Sequence, residues 1–159
     1  MFTGKVTNDV PFWVHPATLT EEIFEKVKDV KMMTKEELER HRNKKIVIAE
    51  SGEDIISVAF ILDLNDPEHD NITKTYEFFI ETYGEENLAK DSMTIATGGI
   101  TLLGLESFVD GTYAGTAIIE ELMATYPLIL LDSANIAVSY WDKHPFFTRY
   151  FEFFYAFPL

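Results

Sequence analysis

The stretch Leu105–Met123, LESFVDGTYAGTAIIEELM, runs an apolar strand pattern into a turn and then into a helix. Gly115 and Ala117 fall in the first turn or so of that helix, and Ile118, Ile119, Leu122 and Met123 share one face of it. Leu128–Leu131 follows as a short, wholly apolar strand of the kind buried in parallel pairs. A strand, a helix and a second buried strand in this order argue for a crossover on a sheet, in an α+β or mixed α/β fold with helices on its faces. The turn itself suits an anion. N–H groups at a helix start have no intrahelical acceptor, and small side chains let a ligand such as a pyrophosphate come close to them.

The rest of the chain supplies the sheet. Lys45–Leu62 contains two β-branched runs around Ser51-Gly52-Glu53-Asp54, a hairpin signal. Val6–Thr18 reads as extended. Thr18-x-x-Glu21 and Thr34-x-x-Glu37 read as capping boxes, the first opening an apolar stripe at Ile23, Phe24, Val27 and Val30, the second a charged helix to about Asn43. Asp63–Asn71 is acidic loop. Ile72–Asn87 is a helix with Tyr76, Phe79, Ile80 and Tyr83 on its stripe and Gly84 as its stop. Met93–Phe108 is one strand or two, broken near Gly98-Gly99. Asp132-Ser133 would cap a helix from Ala134 to Lys143, stopped before Pro145. Phe146–Phe157 closes the chain as one aromatic strand, either buried on both sides or pairing with another chain, a second copy included. The expected class is α+β, a mixed α/β order with a mostly antiparallel sheet flanked by helices. It forms a single domain over 1–159 with an insert at about 63–95.

Composition narrows the chemistry. The net charge is −14, and the short basic runs Lys26–Lys35 and Arg40–Lys45 are interleaved with acids, so nucleic acid is not an expected partner. An amine or cationic acceptor fits that field. Cysteine is absent, which excludes thiolate metal sites and a cysteine nucleophile. His69 lies in Asp66-x-Glu68-His69-Asp70 without the glycine-centred spacing of a calcium loop, so no metal is expected. No signal peptide and no run of about 18 apolar residues is found, which sets the expectation of a cytoplasmic, membrane-free protein.

Together these residues resemble the GNAT superfamily of acyl-CoA-dependent N-acyltransferases, in order along nearly the whole chain. Val14-His15-Pro16-Ala17-Thr18 with Glu21-Glu22-Ile23 is similar to its opening strand and helix, and the Ile46–Ile61 hairpin to its second and third strands. Thr112-Tyr113-Ala114-Gly115-Thr116-Ala117 resembles its pyrophosphate loop, with Thr112 where the family has Gln or Arg. Ala137-x-x-x-Trp141-x-Lys143-x-Pro145-Phe146 resembles its late signature, with Trp141 where the family has the tyrosine that protonates the leaving thiolate and Pro145 where it has glycine.

The resemblance implies acyl transfer from acetyl-CoA to an amine. It places Ser107, Thr112, Tyr113, Ala114, Gly115, Thr116, Ala117 and Asn135 at the cofactor, and Glu106 as the base. Tyr140, beside Trp141, is the candidate acid, although one residue turns a helical side chain by about 100°. Glu50 and Ser139 are weaker candidates for lining an acceptor site and a pantetheine arm. The alternative reading is a GNAT-like domain without catalysis, such as a virus-encoded accessory or virion component acting through its acidic surface and its aromatic C-terminal strand. It follows from Trp141 and from the lack of any Lys or Arg between Leu105 and Asp142.

Overall fold

The computed structural model describes residues 11–66, 72–85, 98–109 and 111–158. Its strands are β1 (Trp13–Thr18), β2 (Lys45–Ser51), β3 (Asp54–Asp63), β4 (Ile100–Ser107), β5 (Ile129–Asp132), β6 (Thr148–Phe151) and β7 (Phe154–Phe157). Its helices are α1 (Glu21–Val27), α2 (Lys35–Arg40), α3 (Ile72–Tyr83), α4 (Ala114–Thr125) and α5 (Val138–Lys143), the last preceded by a 3-10 turn at Asn135–Ala137. The strands form a sheet in the order β1-β2-β3-β4-β5-β7-β6. β4 and β5 are parallel, whereas β1–β2, β2–β3, β5–β7 and β6–β7 are antiparallel. This is the mixed, mostly antiparallel α+β sheet expected. Two compact units divide the chain, residues 1–61 with 103–122 and residues 62–102 with 123–159.

In the first unit, β2 and β3 turn back through Gly52-Glu53, with Ser51 paired to Asp54 and Gly52 at φ +65°. Ile46 to Ala49 and Ile55 to Phe60 are buried on both faces of their strands, which is why the sequence reads as unbroken apolar runs there. Leu19, Phe24, Val27, Val30, Met33 and Leu38 pack α1, α2 and their connection against Ile46, Ile48, Val58 and Phe60. α1 begins two residues later than the Thr18 box implies. Thr18 is held in the β1–β2 ladder opposite Lys45, and the cap is Thr20, whose Oγ1 accepts from Ile23 N–H at 3.4 Å.

The Thr34 box forms as expected, with Glu37 N–H on Thr34 Oγ1 at 3.1 Å and Thr34 N–H on Glu37 Oε1 at 2.8 Å. α2 stops at Arg40, short of Asn43, which turns at φ +65°. Thr34→Ala is expected to lower stability by about 1 kcal/mol in urea unfolding. Thr34→Ser should retain it, and an unchanged midpoint in the alanine variant would remove the cap from the account.

In the second unit, Phe78 and Phe79 of α3 pack against Leu128, Leu130, Phe154 and Ala156. The expected stripe holds at Phe79 and at Tyr83, which packs on the same cluster, and fails at Tyr76. Tyr76 is half exposed, and Phe78 takes the core position, meeting Tyr150 at 4.9 Å between ring centroids. Gly84 stops the helix at φ +77°. Gly98 turns at φ +87° ahead of β4, while residues 93–97 and His69 lie outside the described residues. Ile100–Leu102 pairs in parallel with Ile129–Leu131, as the apolar run predicts.

Two expectations fail nearby. The N-cap is Ala134 and not Asp132 or Ser133: the Asp132 carboxylate holds Lys74 Nζ at 2.8 and 2.9 Å, and Ser133 Oγ donates to Ala134 O at 2.8 Å. The segment therefore opens as a 3-10 turn with no side-chain cap. The closing aromatic run is two strands, not one. It reverses through Glu152-Phe153, with Glu152 at φ +44°, which leaves β7 paired on both edges, to β5 and to β6.

Candidate functional site

In the first unit, the end of β4, the loop after it and the start of α4 bring most of the nominated residues together. Side chains alternate along β4. Gly104 and Glu106 share one face, where a Cβ on Gly104 would lie 3.4 Å from Met33 Cγ. Glu106 Oε1 accepts two backbone N–H groups there, from Lys31 at 2.7 Å and Met32 at 3.0 Å. The nominated base is thus already a hydrogen-bond acceptor for the segment joining α1 to α2.

Leu105 and Ser107 share the other face. Ser57, fully buried on β3, donates its hydroxyl proton to Glu106 O at 3.0 Å. Its Oγ also lies 3.0 Å from Ser107 Oγ, and with its own proton in use Ser57 is the acceptor there, so Ser107 donates. Ser107 Oγ sits only 3.1 Å from where a Cβ on Gly115 would be. Gly115 is therefore glycine for a definite reason, since the serine hydroxyl occupies the space its side chain would take. β4 and the first turn of α4 approach each other closely at that point.

The loop between them has unusual backbone. Gly111 turns at φ +73° and Tyr113 at φ +59°, a region that costs a bulky side chain on the order of 1 kcal/mol. Thr112 is buried, donates to Val109 O at 3.3 Å and accepts from Ala114 N–H at 3.3 Å. It stabilises the helix start from inside and does not reach outward as a Gln or Arg would. The first intrahelical bond runs from Ala117 N–H to Tyr113 O at 3.0 Å. Gly115 and Thr116 N–H lie ahead of it, and no acceptor for either occurs among the described residues. They are the donors an anion would meet, with the positive end of the helix dipole behind them. Tyr113 stands 67% exposed beside them.

Asn135 and Tyr140 belong to the second unit. Asn135 is exposed in the 3-10 turn. Tyr140 is 43% exposed, its ring edge-on to Trp141 at 5.0 Å. Trp141 is buried against Phe147 at 4.9 Å and Tyr155 at 6.4 Å. The position that the resemblance gives to an acidic phenol is filled by an indole built into the core. Tyr155, whose hydroxyl donates to Asp142 Oδ1 at 2.5 Å, is pushed up to about 12, first by burial and then by that bond.

The histidines divide by surroundings. His41 is buried, donating from Nε2 to Lys45 O at 2.8 Å and meeting Phe60 edge-on. His144 caps α5 at its C-terminus, a place where the helix dipole favours a cation. Burial instead lowers its pKa, and Nδ1 accepts from Phe146 N–H at 3.2 Å.

The sequence reading missed the ion pair of His15 and Glu50. His15 faces Ile48 in the β1–β2 register, which puts Glu50 on the diagonal, within reach of Nε2. With Nδ1 at 3.0 Å from Pro16 O, both ring nitrogens donate. The His15 pKa is raised, mainly by the Glu50 hydrogen bond and against the opposing effect of burial. A raised folded-state pKa stabilises fully below the unfolded value near 6.5 and fades as pH climbs through the folded one. The difference in stability between wild type and His15→Gln should accordingly shrink as pH rises from about 6 towards 8. A difference that stays constant over that range would contradict the pairing. Among the described residues no group of acidic and histidine side chains is arranged to hold a metal ion, and no helix is long and apolar enough to cross a membrane.

No family model matches the chain, and no curated protein matches it in sequence. Solved structures do. The Bacillus subtilis N-acetyltransferase YlbP, in complex with coenzyme A, superposes with a TM-score of 0.59 at 13% identity, over 94% of this chain and 97% of that one. An agmatine N-acetyltransferase aligns over 60% of this chain and 53% of its own, with a TM-score of 0.35 at 14% identity. The first of these shows a divergent GNAT-like fold.

Proposed function

We propose that this GNAT-like chain binds an acyl-CoA at the start of α4 and transfers its acyl group to an amine. The observation that carries the proposal is the pair of helix-start amides at Gly115 and Thr116, which follow on the end of β4 after a short loop. The match of nearly the entire fold to an N-acetyltransferase solved with coenzyme A supports it.

The residues present fit a pyrophosphate through backbone alone. Gly115 has no side chain, Thr116 and Ala117 are small, and two N–H groups point outward with the helix dipole, a contribution of roughly 0.3–1 kcal/mol at an exposed site. No Lys or Arg between Leu105 and Asp142 adds to it, and the net charge of −14 opposes it. Binding is therefore expected to be weaker than in a loop that carries a cation.

Bound there, the thioester supplies an activated acyl carbonyl. This chain's part is to hold it along β4 and to draw in a protonated amine through its negative field. The amine must lose its proton before it attacks, and the departing sulfur must gain one. Trp141 is buried and indole N–H is not a usable acid, so the signature position itself does not provide that second proton, and the exposed Tyr140 beside it is the remaining candidate. The same observation favours a second reading, a GNAT-like domain that binds its ligand, or a protein partner, without turnover.

The thermal midpoint in millimolar acetyl-CoA tests the binding. At 100 times the dissociation constant the ligand adds about 2.7 kcal/mol, a rise of roughly 5–10 °C for a chain of this size. No rise would overturn the binding proposal. A rise with thiol release in the presence of amines supports the transferase, and a rise with no thiol release supports the second reading.

A further inference from the structure

We infer that Glu106 is a positioning residue, anchoring the α1–α2 connection over the end of β4, and that it is not the proton acceptor for the amine. The catalytic half of this inference rests on the transferase reading; the anchoring half does not. Consecutive backbone N–H groups of Lys31 and Met32 converge on one oxygen, Glu106 Oε1, at 2.7 and 3.0 Å. Bonds of this kind, from amides to a charged carboxylate, are about twice as strong as neutral ones. They link points 75 and 74 residues apart in the chain.

The rest of that face of β4 is shaped to receive the same segment. Gly104, two residues earlier, leaves room for Met33, whose Cγ comes within 3.4 Å of the missing Cβ and whose side chain is buried. Val30 is buried as well, its N–H on Val27 O at 3.1 Å. Val30 and Met33 are thus held by the core, while the backbone of the two residues between them is held by Glu106. Met32, 40% exposed, then stands as an apolar wall beside the end of β4. Releasing the anchor would move that wall, and with it the space open to an acceptor.

Glutamine separates the two roles. Glu106→Gln keeps an oxygen that can accept both N–H groups but removes the carboxylate that would take a proton. Glu106→Ala removes both functions. Amide hydrogen exchange at Lys31 and Met32 should stay within about threefold of wild type in the glutamine variant and accelerate about tenfold or more in the alanine variant. In turnover with acetyl-CoA and an amine, the glutamine variant should keep its kcat, and the alanine variant should raise KM for the amine more than it lowers kcat.

A glutamine variant that protects both amides yet loses kcat by about 100-fold would make Glu106 the proton acceptor and overturn the inference. So would unchanged exchange in the alanine variant. Glu106→Asp, which shortens the reach by one methylene, provides the same exchange comparison if the alanine variant does not fold. Should the wild type show no turnover, the transferase reading fails on its own, and the exchange comparison still decides the anchor.

Discussion

Trp141→Ala is expected to lower stability by about 3–5 kcal/mol, the usual cost of emptying a large aromatic site in a packed core. The indole is only 6% exposed and has ring neighbours on several sides, with Phe147, Tyr155, Tyr140 and His144 all within 6.4 Å between centroids. Little of that space can collapse, since Tyr155 is itself fixed by its hydroxyl to Asp142. Urea unfolding followed by circular dichroism measures the loss. Trp141→Phe should cost markedly less, because a ring remains to meet Phe147. A loss below about 1 kcal/mol for the alanine variant would place the indole outside the core and reopen a functional role for the position. Trp141→Tyr should not create activity, because a phenol there would be buried among the same rings.

The second large effect is a change of sign at Gly115. With a Cβ, this residue would press on Ser107 Oγ at 3.1 Å, and β4 and α4 are both held by the core, so neither yields freely. Overpacking of this kind costs about 1–3 kcal/mol, against a gain of roughly 0.5–1 kcal/mol for replacing a helical glycine with alanine. Gly115→Ala should therefore destabilise the wild type. In a Ser107→Ala background the obstruction is gone, and the same substitution should stabilise. The coupling appears as non-additivity of the two changes. If Gly115→Ala has the same effect in both backgrounds, Ser107 is not what requires the glycine.

Much of the architecture is legible in the residues. The hairpin is announced by two β-branched runs around Ser51–Asp54, and the parallel strand by four consecutive apolar residues at Leu128–Leu131. Thr34 caps as its spacing predicts. Thr18 does not, because a Thr-x-x-Glu pattern is silent on whether its threonine is already held in a ladder, and the opposing Lys45 lies 27 positions away. The second hairpin at the C-terminus is hidden for a related reason. Its turn uses Glu152 and Phe153, with glutamate in a left-handed conformation that sequence rules reserve for glycine and asparagine.

The site divides in the same way. The helix start at Gly115 can be read locally, since small residues after a strand pattern specify it. What Ser107, Glu106 and His15 contact cannot, for each partner comes from a distant segment. Ser57 reaches Ser107 across 50 positions, the Lys31 amide reaches Glu106 across 75, and Glu50 reaches His15 across 35. Glu106 is nominated as the base from the sequence and is hydrogen-bonded to the Lys31 and Met32 amides in the fold.

The most direct test of the central claim follows the backbone amide resonances of isotope-labelled protein as coenzyme A is added. Gly115 and Thr116 N–H should show the largest saturable shifts, with Tyr113 and Ala117 following. Saturable binding that leaves these four amides unmoved, or no binding at millimolar ligand, would contradict the account.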